Sequence, residues 1–537
     1  MGVGFGVGSP VSRPFRQSQA TLHTWSGLLL GWVLFIVFTT GTIAFWREAL
    51  NRWMRPELPR IEQPMRVLSG AQAFLQRTVP DGQSWYITMP SDRMPVATLF
   101  WIPKTDADAP SGRGRRRRGT DTQALVGADG TAVVARDTRG GDFFYRFHFD
   151  LHYMPVLWAR WIVGVAAMMM LVAILTGIVT HKKIFRDFFT LRRGKGQRSW
   201  LDGHNATAVL ALPFHLMITY TGLVTLMAML MPWGAVANYT DEAKISKALF
   251  PHVEVPERSN RPAPLVDLVP VVRDAERRLG GAAAYVEVRE PGDASARITV
   301  TRSPATLLNT RGASVAYDGV TGRPIWQSPP PDGASATAGV MIGLHAGRYA
   351  DLGLRWIYFL CGVAGTVMVA SGLVLWTVKR RERLPDPARP HLGFRIVERL
   401  NLGVLGGFPL AVAGFFWANR LLPTADAGRA EREVTVLFVV WGVAFVAGLI
   451  LRPRWGWQAL LGGTGAALIA LALFDLATLR PGMFARFLGG DSLWVGTDLT
   501  LAVFGIAFLL IARRVARHRP TIRVRTRRAA ISMDAMA

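Results

Sequence analysis

His23-Thr-Trp-Ser-Gly-Leu-Leu-Leu-Gly-Trp-Val-Leu-Phe-Ile-Val-Phe-Thr-Thr-Gly41 sets a histidine eighteen residues before a Thr-Gly pair that closes an apolar run. The same phrase returns at His204, eighteen residues before Gly222 in Thr221-Gly222. A second phrase also occurs twice. Arg160-Trp161-Ile162 leads to Thr176-Gly177 and Arg355-Trp356-Ile357 to Ser371-Gly372, sixteen residues from Trp to Gly in each. His152 and His345 stand upstream of these. Residues from about 20 to 180 and from about 200 to 380 thus read as two copies of one unit: helix, long polar loop, helix.

Half of the 537 residues are hydrophobic and the mean hydropathy is +0.23, too apolar for one water-soluble domain of this size. Apolar runs of spanning length predict eight transmembrane segments, near 25–46, 156–180, 206–231, 354–378, 400–422, 434–451, 456–478 and 494–513. The net charge of +25 is distributed as a topology signal rather than a nucleic-acid footprint. Basic clusters follow the second span (Lys182 to Arg198) and the fourth (Lys379 to Arg383), recur at Arg452 and Arg454, and fill the tail from Arg513. With eight spans all of these fall on one side, which the positive-inside rule makes cytoplasmic. The expected setting is a bacterial inner membrane with both termini cytoplasmic. Arg113 to Arg118 is the exception; it reads as a solvated insertion in the first outside loop, since long loops cross regardless of charge.

The single cysteine, Cys361, excludes disulfides, Cys-ligated iron–sulfur clusters and Cys-X-X-Cys-His haem attachment. The first apolar run is long enough to span and reads as an uncleaved anchor. Seven segments follow: 1–50, the N-terminus and first span; 51–150, a first outside domain; 151–235, the second and third spans with a basic loop; 236–345, a second outside domain; 346–398, the fourth span; 399–516, a four-helix extension; and 517–537, a basic tail. Each outside loop reads as a helix followed by strands, with Asp-Gly turns marking hairpins. The fold class is a mainly α membrane protein with an internal duplication and small α+β periplasmic domains.

His23-Thr-Trp-Ser-Gly27 with its closing Thr-Gly resembles the opening of PepSY-associated transmembrane proteins. Tyr317-Asp-Gly-Val-Thr-Gly322 is similar to the PepSY domain's Asp-x-x-Thr-Gly hairpin. Gly343-Leu-His-Ala-Gly-Arg348 resembles the Leu-His-x-Gly element before that family's fourth helix. The resemblance covers about residues 15–385; the last four spans lie outside it. The family includes haem-containing inner-membrane ferric-siderophore reductases and other iron-regulated membrane proteins. The resemblance implies a haem-b protein of ferric-chelate reductase type.

The topology sorts the histidines by side. His23 and His204 lie near the cytoplasmic face, His152 and His345 near the periplasmic face. If the units are related by a twofold axis along the membrane normal, His23 with His204 clamps one haem and His152 with His345 another, each iron held by two imidazoles. Relative to Trp161 and Trp356 the outer pair is out of register by two residues. His215, eleven residues into the third span, is a functional candidate by its depth, as an asymmetric ligand or a proton carrier; its counterpart in the first unit is Leu34. His148 and His181 are interfacial alternates. Arg160, Arg348 and Arg355 are candidate partners for haem propionates or snorkel to the interface. For any single histidine a bond to headgroups or backbone is the simpler role, and the repeated glycines are first close-packing positions for helices.

Gly2 to Gly8 does not follow a strand and is not a nucleotide loop. Electrons must then come from a partner, a flavin reductase or membrane quinol, and leave toward a periplasmic acceptor such as a ferric siderophore. The rival readings are a PepSY scaffold or sensor that binds protein partners, and a transporter.

Overall fold

The computed structural model describes residues 15–104, 122–180, 197–239, 241, 244, 251, 253–254, 257–386 and 389–518. The basic loop after the second span, His181, His252, the Arg113–Arg118 insertion and the tail beyond His518 lie outside these residues.

In the first unit, α1 (Phe15–Ala44) is followed by α2 (Arg47–Trp53), α3 (Pro64–Thr78), strands β1 (Ser84–Thr88), β2 (Ala97–Ile102) and β3 (Gln123–Val126), then α4 (Gly140–Asp150) and α5 (Val156–Thr180). The second unit repeats the plan. It runs α6 (Gln197–Leu210), α7 (Leu212–Thr225), α8 (Leu268–Leu279), β4 (Ala283–Arg289), β5 (Arg297–Arg302), β6 (Ser314–Asp318), β7 (Pro324–Gln327), α9 (Gly333–Ala346) and α10 (Leu352–Arg381). The extension is α11 (Leu392–Leu421), α12 (Arg429–Ile450), α13 (Pro453–Thr478) and α14 (Leu493–Arg517).

Among the described residues, seven helices are long and apolar enough to cross a membrane, and eight if the bent pair α6–α7 counts as one span. That span is not the straight helix expected at 206–231. It breaks at Ala211 and bends by 68°, with Pro213 just after the break in the first turn of α7. Proline has no N–H to give the preceding turn and its ring crowds that turn's carbonyl.

The two outside loops are not two separate domains. Their strands form one seven-stranded antiparallel sheet in the order β3-β2-β1-β4-β5-β6-β7. The joint is β1 against β4, with Ile87 opposite Val286 and Ser84 opposite Arg289. These strands hold equivalent places in the two units, and a twofold axis between equivalent strands makes them antiparallel neighbours. Pairing also removes the two open edges that separate domains would expose. Helices α3 and α8 bury Val67, Leu68, Leu75, Val272 and Ala275 against Trp85, Ile87, Val288 and Val300 in one shared core. Gln72 stitches the halves together: its amide donates to the Val266 carbonyl and its oxygen accepts from the Leu268 N–H.

The hairpin at Tyr317–Gly322 forms as expected between β6 and β7. Asp318 accepts from the N–H groups of Val320 and Thr321, and Gly322 takes φ +69°, a conformation that glycine adopts without steric cost. The matching Asp129-Gly130 turn is real, but the strand expected beyond it shrinks to one bridge, Val126 to Ala132.

Candidate functional site

Two pairs of histidines meet inside the duplicated core. His23 on α1 faces His204 on α6, with ring centroids 6.4 Å apart. His148 on α4 faces His345 on α9 at 6.0 Å. The first pair is the one the duplication predicts. The second is half of it: His345 is in place, but its partner is His148, not His152.

One local device holds all four rings. His23 Nδ1 lies 2.8 Å from the Ala173 carbonyl oxygen and His204 Nδ1 lies 2.9 Å from that of Met368. His148 Nδ1 lies 2.7 Å from the Val37 oxygen, and His345 Nδ1 lies 3.0 Å from that of Ile218. A carbonyl can only accept, so each Nδ1 carries a proton, and in the neutral ring each Nε2 keeps its lone pair. In every case a glycine follows four residues after that carbonyl: Gly177, Gly372, Gly41 and Gly222. A Cβ on these glycines would sit 3.3, 3.2, 2.6 and 2.9 Å from the imidazole Cε1 of His23, His204, His148 and His345. The absent side chain is the space the ring occupies. The residue before each glycine turns its hydroxyl back to its own helix: Thr40 to Ile36, Thr176 to Val172, Thr221 to Met217 and Ser371 to Met368. The Thr/Ser-Gly pairs in the sequence are therefore imidazole cradles.

The cradles obey the duplication. In each unit the first helix sends its histidine to the last helix, His23 to α5 and His204 to α10. In each unit the short helix before the last span sends its histidine back to the first, His148 to α1 and His345 to α7. Val37 lies fourteen residues beyond His23 on α1, so the pairs are separated by roughly 20 Å at a rise of about 1.5 Å per residue.

The short helices that carry the pair on the sheet side are held from two directions. On α9, a Cβ at Gly343 would lie 1.7 Å from the Leu308 carbonyl oxygen, and the Thr310 N–H donates to Gly339. The β5–β6 connection thus grips the helix bearing His345. On α4, Asp142 accepts from Arg47 and Asn51 of α2. Phe143, Phe144 and Phe147 pack against Phe415, Phe416, Phe408 and Phe438 of the extension. Helices α11 and α12 of the extension, unassigned from sequence, thus form the wall behind α4.

His152 sits just past the end of α4 in a left-handed stretch, Leu151, His152 and Tyr153 having φ of 47°, 34° and 50°. That turn aims its ring at Phe143 and Phe438, away from His345. His215 is buried beside the Cys361 carbonyl, its Nε2 at 3.4 Å, and Gly365 again follows four residues later. It faces Phe38, and its Nδ1 has no hydrogen-bond partner among the described residues. Arg160 is bonded to Asp150 at 2.9 Å. Arg348 is exposed. Arg355 is buried, donates to the Ala350 carbonyl and lies over the Trp46 ring. Asp475 makes a two-pronged ion pair with Arg420 at 2.7 and 2.8 Å.

His148 was legible only as an alternate. Relative to the repeated Trp frame it stands thirteen residues before Trp161, whereas His345 stands eleven before Trp356 and His152 nine before Trp161. Both candidates miss by two. The discriminating signal was Phe143-Phe144 with Phe147, a helical apolar stripe that continues α4 past His148 and ends before His152.

The donor set fits a bis-imidazole iron. Two metal–nitrogen bonds of about 2 Å each, with a ring centre about 1 Å beyond each nitrogen, separate the centroids by about 6 Å, as both pairs do. A second-sphere carbonyl on Nδ1 that fixes tautomer and orientation is the usual support for a metal-bound imidazole.

The chain belongs to the PepSY-associated TM region family, whose model matches residues 20–379. It is also 27% identical over 376 residues to an uncharacterized protein of Pseudomonas aeruginosa, across 67% of this chain and 91% of the relative. The extension lies beyond the family match.

Proposed function

We propose that this chain is a di-haem b membrane reductase that carries electrons through the bilayer to a periplasmic acceptor, a ferric siderophore in the first instance. The observation that supports this is the fourfold cradle: four neutral imidazoles in two facing pairs, each with Nδ1 occupied and Nε2 available. His23 with His204 would hold one haem and His148 with His345 the other. Held by these imidazoles, a haem would supply reversible one-electron storage, and two strong nitrogen donors would favour electron transfer over oxygen chemistry.

The protein's own part is positional. The carbonyls of Ala173, Met368, Val37 and Ile218 hold the rings in one tautomer, and the glycines let them lie against the helices. The bundle keeps water away from both pairs. The sheet above α9 is where an acceptor would dock, and reduction of its Fe(III) weakens hard-oxygen chelation and frees the metal. By the positive-inside rule the basic segments favour cytoplasmic chain ends and a periplasmic sheet, and the donor, a flavin reductase or membrane quinol, would act from the cytoplasmic side or the bilayer. The test is the visible spectrum of detergent-purified protein, oxidised and dithionite-reduced, after expression with haem supplementation. Sharp reduced bands at two haems per chain support the reading; a colourless protein returns the family scaffold or transporter as the answer.

A further inference from the structure

A groove of about 1620 Å³ runs between the duplicated core and the extension, from Arg52 and Arg486 at the sheet end to Trp200 and His518 at the other. Its walls are α1 and α10 on one side and α11, α13 and α14 on the other. Along the bilayer they are apolar, with Val363, Val367 and Phe504 among the lining residues. Val367 and Ile511 on these walls are 47% and 46% exposed.

The sheet end carries a charge excess. Arg52, Arg60, Arg93, Arg355, Arg480 and Arg486 line it, against the carboxylates Asp92, Glu57 and Asp491. Asp491 is already taken by Arg52 and Glu57 by Arg136. Arg93 and Arg355 converge on one carbonyl, Ala350, at 3.2 and 2.9 Å. Arg355 is only 7% exposed and has no carboxylate partner among the described residues. Arg93 is half-buried and pairs with Glu48 at 3.1 Å, whereas buried Arg355 is left without a counter-charge, a state that a bound anion would relieve. This end also lies opposite the basic clusters, where the positive-inside rule predicts few arginines in excess.

We propose that the groove binds an anionic phospholipid, with its phosphate at the arginine-lined sheet end that Arg355 and Arg486 share and its acyl chains along Val363, Val367 and Phe504. Arginine's planar fork suits a phosphate with two parallel hydrogen bonds, and the apolar floor suits the chains. The lipid then fills the seam between the family core and the added helices. This inference stands apart from the histidine pairs, so haem content and lipid content report on it and on the proposed function separately.

The test is native mass spectrometry and lipid extraction of protein purified in mild detergent. The expected result is a retained phosphatidylglycerol or cardiolipin in the wild type and in Lys379→Gln, at the opposite end of α10. The double variant Arg355→Gln/Arg486→Gln should lose it at least tenfold. As an arm that needs no variant, wild-type protein should melt at higher temperature in phosphatidylglycerol nanodiscs than in phosphatidylcholine nanodiscs, and inorganic phosphate should not reproduce the shift. Equal retention of zwitterionic lipid, a quinone in the groove, stabilisation by phosphate alone, or indifference to the arginines would overturn the proposal.

Discussion

His148 Nδ1 lies 2.7 Å from the Val37 carbonyl oxygen, and Gly41, one helical turn further along α1, leaves the space its ring fills. The three other paired histidines repeat this relation, which makes the glycines as specific as the histidines. Gly41→Val should displace His148 and remove one haem of two, leaving the His23–His204 site intact. Gly27→Val, where a Cβ meets nothing within 4 Å, should leave both. Pyridine haemochrome quantification per chain reads the difference.

His148→Ala and His152→Ala separate the two candidates for the outer pair. His148→Ala should lower the haem content from two to one, whereas His152→Ala should retain two. Equal loss in both variants would restore the pairing first read from the sequence.

The duplication, the inner pair, the spans and the Thr/Ser-Gly signatures were legible because each is a short periodic pattern along one helix. The outer partner was not, because loop length blurred the count: His148 and His152 miss the Trp frame by equal amounts in opposite directions. The fused sheet was also hidden. Nothing near Ile87 in sequence announces that its neighbour is Val286, since that register is set by the symmetry of the assembled units. The bend at Ala211 left only Pro213 as a trace.

Ile87 is fully buried at the β1–β4 joint. Ile87→Ala should cost about 2–5 kcal/mol by the loss of buried methyl groups and the cavity left behind. Because the sheet is one unit, protease or hydrogen-exchange protection should fall in both loops together. Loss confined to the first loop would mean two independent domains.

Arg420 and Asp475 are 4% and 0% exposed, and Arg420 also donates to the Trp53 carbonyl of α2. Arg420→Met leaves a buried carboxylate without its partner, a cost of about 3–5 kcal/mol. Since α2 holds α4, the variant should lower the melting temperature in detergent and loosen the outer site before the inner one, seen as selective loss of one haem on warming.

Outside the membrane, Asp274 bonds Arg278 and accepts from the Tyr317 hydroxyl at 3.0 Å. The bond to Arg278, with Tyr317 contributing, holds this carboxyl below its ordinary value. A depressed carboxylate stabilises the fold above its unfolded value and loses that contribution as pH falls through the folded one. Asp274→Asn should therefore lower neutral-pH stability slightly, the pair being near the surface, and flatten the acid limb of sheet-domain stability, with wild type and variant converging toward pH 3. Circular dichroism melts between pH 3 and 7 measure this.

The most direct measurement is the dithionite-reduced minus oxidised spectrum of the wild type, His23→Ala, His204→Ala, His148→Ala and His345→Ala, each purified as folded protein. The account predicts two haems in the wild type and one in each variant, with two spectral classes that sort His23 with His204 and His148 with His345. Full haem in all four variants, or none in the wild type, would contradict it.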